Sequence, residues 1–180
     1  AFRNRAHLLF KADLFVPCGG RPESINISNV NELIKDGDKC NYKYIVEGAN
    51  LFITRQARLE LEKHGVILYP DASANKGGVT SSSLEVLVGL SLSDDEYISN
   101  MLFVDGKPTQ FYMDYVRDIQ TNIARNAHSA FEAIWREHKD TGKPRSLIST
   151  DMSNALNRLS LQIENTNLSL IHISDGAREA

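Results

Sequence analysis

The sequence predicts an α/β fold, with a short parallel sheet followed by helices alone. Three observations predict it. Short strands that are apolar throughout, residues 12–16, 44–46 and 66–69, each run into a stretch of small residues. A helical pattern follows each of the last two, and a shorter, ambiguous segment follows the first. After Leu90 the periodicity is helical only. Strands without polar alternation are those of a parallel sheet whose faces are both covered by helices.

The elements follow in order. Residues 3–11 mix polar and apolar side chains and read as the end of a helix. Ala12-Asp13-Leu14-Phe15-Val16 is a strand ended by Pro17, and Cys18-Gly19-Gly20-Arg21-Pro22 is a flexible loop. Residues 25–33 are ambiguous, with Ser28 or Asn29 able to cap a short helix ending near Lys35. Asp36-Gly37-Asp38 is a turn. Tyr44-Ile45-Val46 is the second strand and runs into Glu47-Gly48-Ala49-Asn50. Thr54 is a suitable N-cap for a helix over 55–64, which Gly65 ends in the position favoured for a left-handed cap.

Val66-Ile67-Leu68-Tyr69 is the third strand. Residues 71–83, with a Gly pair and a run of hydroxyl side chains, are expected to be a loop leading to a helix from Leu84. Ser93-Asp94-Asp95-Glu96 starts a short helix with acids in its first turn. Residues 104–108 form a turn, and Thr109 caps a long helix closing near His138. Phe111, Tyr115, Ile119, Ile123, Ala127, Phe131 and Ile134 recur along it at spacings of three and four. Ser149-Thr150-Asp151 caps a last helix through Leu156, Leu159 and Ile163.

Composition narrows the function classes. Apolar residues make up 42% and charged residues 24% of 180, with a net charge of -3, which is ordinary for a globular chain. This balance gives no reason to expect nucleic acid or an anionic membrane as a partner. No apolar run is long enough to span a bilayer. Cys18 and Cys40 cannot make a disulfide framework and read as reduced thiols of an intracellular protein, cytoplasmic or mitochondrial. The five His residues show no metal-ligand spacing. The start, without Met, reads as a cut. Leu168-Ser169-Leu170-Ile171-His172-Ile173-Ser174 matches a reading frame of an adaptor used in DNA library preparation, so 168–180 is expected to be a non-native tail.

Strand, small-residue loop and helix in repetition crowd three loops onto one sheet edge, where open α/β sheets bind ligands. No Gly-x-Gly-x-x-Gly follows any strand, and no acid is placed to hold a ribose. The fold class is Rossmann-like; taken as a dinucleotide-binding domain, the chain is the second half of one, a parallel sheet followed by C-terminal helices. Residues 1–92 form that partial domain, on its nicotinamide side, and 93–167 form the helical region.

These residues carry a resemblance. Residues 12–22, Glu47-Gly48-Ala49-Asn50, and Asp71-Ala72-Ser73-Ala74-Asn75-Lys76-Gly77-Gly78-Val79-Thr80-Ser81-Ser82-Ser83-Leu84-Glu85 are similar to segments of the glutamate dehydrogenases. The likeness is to the large NAD-specific class of fungi and related eukaryotes, and extends from Ala12 to about Asn165. It implies oxidative deamination of L-glutamate to 2-oxoglutarate and ammonium with NAD as hydride acceptor, in a homo-oligomer. It also implies that the proton-moving lysines and aspartate belong to another domain absent from this chain, so that the fragment alone is not expected to catalyse.

On the same resemblance, Cys18, Gly19 and Gly48 line the cofactor groove, and Asn50 and Asn75 orient the nicotinamide. Gly78, Val79 and Ser82 shape the glutamate pocket, with Ser82 facing the side-chain carboxylate. Residue chemistry leaves rivals open. Asn50 also suits an Asx turn, and Gly77-Gly78 a tight turn. Ser82 and Glu85 have the spacing of a capping box. Other readings of the whole chain are a non-catalytic nucleotide-binding or regulatory module, a dehydrogenase of another amino acid, or a helical interaction piece. Lys76 reads as a solvated charge.

Overall fold

A computed structural model describes residues 2, 5–19, 21–35 and 39–166. Gly20, the turn expected at Asp36-Gly37-Asp38 and the tail from Leu168 lie outside the described residues.

Helix α1 (Ala6–Leu9) leads into β1 (Ala12–Phe15). The ambiguous segment 25–33 holds only a single 3-10 turn (Val30–Glu32), and β2 (Ile34–Lys35) follows it. Asn29 does not cap a helix: its Oδ1 accepts from the Asn26 N–H at 2.9 Å. β2 pairs antiparallel with β3 (Lys39–Cys40). β4 (Tyr42–Val46) starts ahead of the expected 44–46. Tyr42 is drawn inward, stacks on Phe15 at 4.7 Å and donates its hydroxyl to the His7 carbonyl at 2.7 Å.

Helix α2 (Arg55–Lys63) is capped as expected, with Thr54 Oγ1 accepting from the Ala57 N–H and Gly65 at φ 80° beyond its end. β5 (Ile67–Tyr69) completes a parallel sheet ordered β1-β4-β5, in register Leu14 with Tyr44 and Ile45 with Leu68. All three strands therefore end at one edge.

Two helices occupy the stretch expected to be a loop at 71–83: α3 (Asp71–Ala74) and α4 (Gly77–Ser91). α5 (Asp94–Met101) carries a capping box between Ser93 and Glu96. α6 (Gln110–Thr141) is capped by Thr109 and closed by Gly142 at φ 70°. It runs one turn beyond the expected close at His138, whose carbonyl accepts from the Gly142 N–H at 2.8 Å.

α7 (Arg145–Glu164) begins ahead of Ser149, which lies buried inside it. Its first turn is satisfied from a distance, because the Ser146 N–H and hydroxyl both donate to the Glu62 carboxylate of α2. Among the described residues no helix is long and apolar enough to cross a membrane.

One sheet face carries the main core, where Ile45 and Leu68 meet Ile25, Ala57 and Leu61. On the other face Tyr69 and Ile67 pack against Ile134 and Trp135 of α6 and Ile148 of α7. The expectation of helices over both faces holds there only for β5. Leu14 and Tyr44 stay 53% and 45% exposed, beside an apolar groove of about 430 Å³ shared with Phe131 and Trp135.

Candidate functional site

The strand ends bring three segments together. After β1 the chain turns at Pro17, which is buried, and Cys18, which is exposed. Gly48, after β4, sits directly against it. A Cβ built at Gly48 would lie 3.1 Å from both Cys18 Sγ and the Pro17 carbonyl oxygen, so a larger residue would force the two strand ends apart. Gly19 has no such neighbour and opens to solvent.

Glu47, the residue before Gly48, is fully buried. Its Oε1 accepts from the Ile53 N–H at 3.0 Å. Arg58 of α2 grips both its oxygens, with Nε donating to Oε2 at 2.7 Å and Nη2 to Oε1 at 3.1 Å. The same Nη2 donates to Asp71 Oδ1 at 2.8 Å, and Asp71 Oδ2 accepts from the Leu51 N–H at 2.7 Å. Burial pushes the Glu47 carboxyl above the ordinary range; the Arg58 guanidinium and the Ile53 N–H pull it back only in part. Leu51 is held at φ 53°, a left-handed conformation that side chains other than glycine disfavour.

α3 is one turn long, with Asp71 at its start and Asn75 as its C-cap, whose N–H donates to the Asp71 carbonyl at 2.8 Å. Asn75 Nδ2 donates to Asn50 Oδ1 at 2.6 Å, which ties the segment after β5 to the segment after β4. The bond leaves Asn50 Nδ2 as a donor and Asn75 Oδ1 as an acceptor. A primary carboxamide presents the complementary pair. The residues present therefore fit the nicotinamide end of a dinucleotide.

α4 begins at Gly77, which removes the helix-cap reading of Ser82. Ser82 lies in the second turn, not at an N-cap, and its hydroxyl donates to the Val79 carbonyl at 3.1 Å. The capping box with Glu85 is excluded, and so is the isolated tight turn at Gly77-Gly78. Local sequence favours a loop here because paired glycines and hydroxyls disfavour a helix. The segment is helical all the same, with Ile123 of α6 lying 3.6 Å from where a Gly77 Cβ would stand. The hydroxyls of Thr80, Ser81 and Ser83 bond back to carbonyls one turn earlier. Lys76 provides no side-chain cap, so the first-turn N–H groups of α4, Gly78 and Val79 among them, remain available to an anion. Gly78 and Ser82 are four residues apart and share a helix face, on which Gly78 is open and Val79 and Ser82 are exposed.

Thus the structure joins Asn50 to Asn75 and sets Cys18 against Gly48, while Gly78, Val79 and Ser82 form a separate group on α4. Sequence reading missed Arg58 and Asp71. The available signal was an acid within two residues of the end of each of two strands, with an arginine on the helix between them. Among the described residues no cluster of His, Cys, Asp or Glu has the arrangement of a metal site.

A family model described as Glutamate/Leucine/Phenylalanine/Valine dehydrogenase matches residues 2–142. The chain is 54% identical to the NAD-specific glutamate dehydrogenase of Neurospora crassa over 93% of this chain and 16% of that protein. It is 54% identical to the probable NAD-specific glutamate dehydrogenase of Schizosaccharomyces pombe over 91% of this chain and 15% of that protein. It is 48% identical to glutamate dehydrogenase 2 of Dictyostelium discoideum over 93% of this chain and 16% of that protein. The chain spans only this small share of the length of the curated relatives it matches.

Proposed function

Because the chain belongs to the Glutamate/Leucine/Phenylalanine/Valine dehydrogenase family, we propose that it supplies half the active site of an NAD-dependent glutamate dehydrogenase. The whole protein converts L-glutamate to 2-oxoglutarate and ammonium, inside the cell, in cytoplasm or mitochondrion, and as a homo-oligomer. Residues 1–92 are the nicotinamide half of its nucleotide domain and 93–167 a helical region. The choice of NAD follows the names of the fungal relatives.

NAD, when bound, accepts the hydride that leaves the glutamate α-carbon. Asn50 and Asn75 hold the nicotinamide carboxamide through their free donor and acceptor. Cys18, Gly19 and Gly48 line the groove beside it. Gly78 and Val79 form a wall of the glutamate pocket, where the open glycine admits close approach and Val79 meets the substrate's methylenes. Ser82 donates to the side-chain carboxylate, for which its hydroxyl must leave the Val79 carbonyl. The first-turn N–H groups of α4 favour the same negative charge. Proton transfer is assigned to side chains of the protein's other domain.

The observation that carries this reading is the Asn50–Asn75 bond at the edge where all three parallel strands end. Full-length protein is expected to form NADH from NAD and L-glutamate. Ser82→Ala should raise KM for glutamate about tenfold or more, the scale of one hydrogen bond to a charged group, and barely change turnover of norvaline, which lacks the side-chain carboxylate. No glutamate-dependent NADH from the full-length protein would sink the reading. An equal loss on both substrates would remove Ser82 from it.

A further inference from the structure

We infer that Arg58 is the positioning residue of this half-site, the one side chain that sets Asn50 and Asn75 in register through Glu47 and Asp71. The inference rests on the proposed nicotinamide role of those two amides.

Among the described residues, the Arg58 guanidinium bonds to Glu47 and Asp71 and not to the proposed groove residues. It reaches the segment after β4 through Glu47 and the segment after β5 through Asp71. From Asp71 the constraint runs two ways. Asp71 Oδ2 holds the Leu51 N–H, and so the backbone directly after Asn50. Its main chain begins α3, the one-turn spacer that ends on Asn75. The circuit closes where Asn75 meets Asn50. The hydrogen bonds of the circuit are 2.6–2.8 Å long, except the second bond from Arg58 to Glu47 at 3.1 Å.

Two features mark this circuit as more than a core ion pair. A buried charge cluster is weak evidence of stabilisation, because desolvation offsets most of its attraction. This cluster also holds Leu51 in a left-handed conformation that costs about 1 kcal/mol or more. The strain falls on the residue directly after Asn50, and the buried carboxylate of Glu47 lies three residues before it. A planar guanidinium reaches three carboxylate oxygens at once; the ammonium of a lysine cannot reproduce that fork.

The test is a double-mutant cycle in the full-length enzyme, with active sites titrated so that lost folding is not read as lost binding. Arg58→Lys is expected to raise KM for NAD about fivefold to tenfold, and Asn50→Ala by a similar factor or more. The double variant should stay within about twofold of Asn50→Ala alone, because Arg58 acts through Asn50. Should Arg58→Lys fail to fold, Asp71→Asn takes its place with the same expectation. Two results overturn the inference alone: Asn50→Ala impaired while Arg58→Lys lowers only the melting temperature, or factors that multiply in the double variant. If Asn50→Ala itself leaves KM for NAD and kcat unchanged, the nicotinamide reading falls and the inference with it.

Discussion

Glu47 is a carboxyl with no exposure, and its burial outweighs an arginine in contact with it. Its titration therefore has a definite sign. Unfolded, it protonates near the ordinary value of about 4.3. Folded, it holds its proton to higher pH, so the folded state binds more protons between the two values. The resulting stabilisation is full below the unfolded value and is lost as pH rises through the folded one. Glu47→Gln removes this titration but keeps an oxygen for the Ile53 N–H. The melting temperature of wild type minus that of Glu47→Gln, measured in the full-length protein, should fall as pH rises from about 4 to 7. A difference that grows with pH would mean that Arg58 controls the carboxyl after all.

Helix ends show how much was legible. Thr54, Gly65 and Thr109 act within a turn of themselves, so the sequence around them is sufficient. The start of α7 is satisfied by Glu62, which lies 84 residues from Ser146, and α4 starts beside Ile123 of α6. Neither start carries a side-chain cap of its own. The parallel sheet and the edge with Asn50 and Asn75 were readable because apolar strands and small residues are local signals. The Arg58 circuit was not, since each of its charges alone looks like a solvated one.

Glycines in these helices give opposite expectations. Gly89 is exposed within α4 with no atom within 4 Å of a built Cβ, so Gly89→Ala should stabilise by about 0.5–1 kcal/mol. Gly142 has the same open space but a φ of 70°, so Gly142→Ala should destabilise by about 1 kcal/mol. Thermal unfolding of the two variants checks the signs.

At the scale of the whole molecule, apolar surface is left uncovered on two sides. Leu14 and Tyr44 face the open groove, and Val86 and Leu90 of α4 are exposed. Patches of this kind mark contacts with further protein. Expressed alone, the chain should elute from size exclusion ahead of its monomer mass and form no NADH from glutamate and NAD. A monomeric peak at high concentration would show that these faces tolerate water. The bond between Glu62 and Ser146 also sets a schedule. At roughly 5–20 residues per second, a ribosome adds the 84 residues between them in about 4–17 s. For that interval the nascent chain carries a bare carboxylate on α2 beside the half of β5 that α6 and α7 later cover. The rate of synthesis between positions 62 and 146 sets how long this unfinished surface meets solvent.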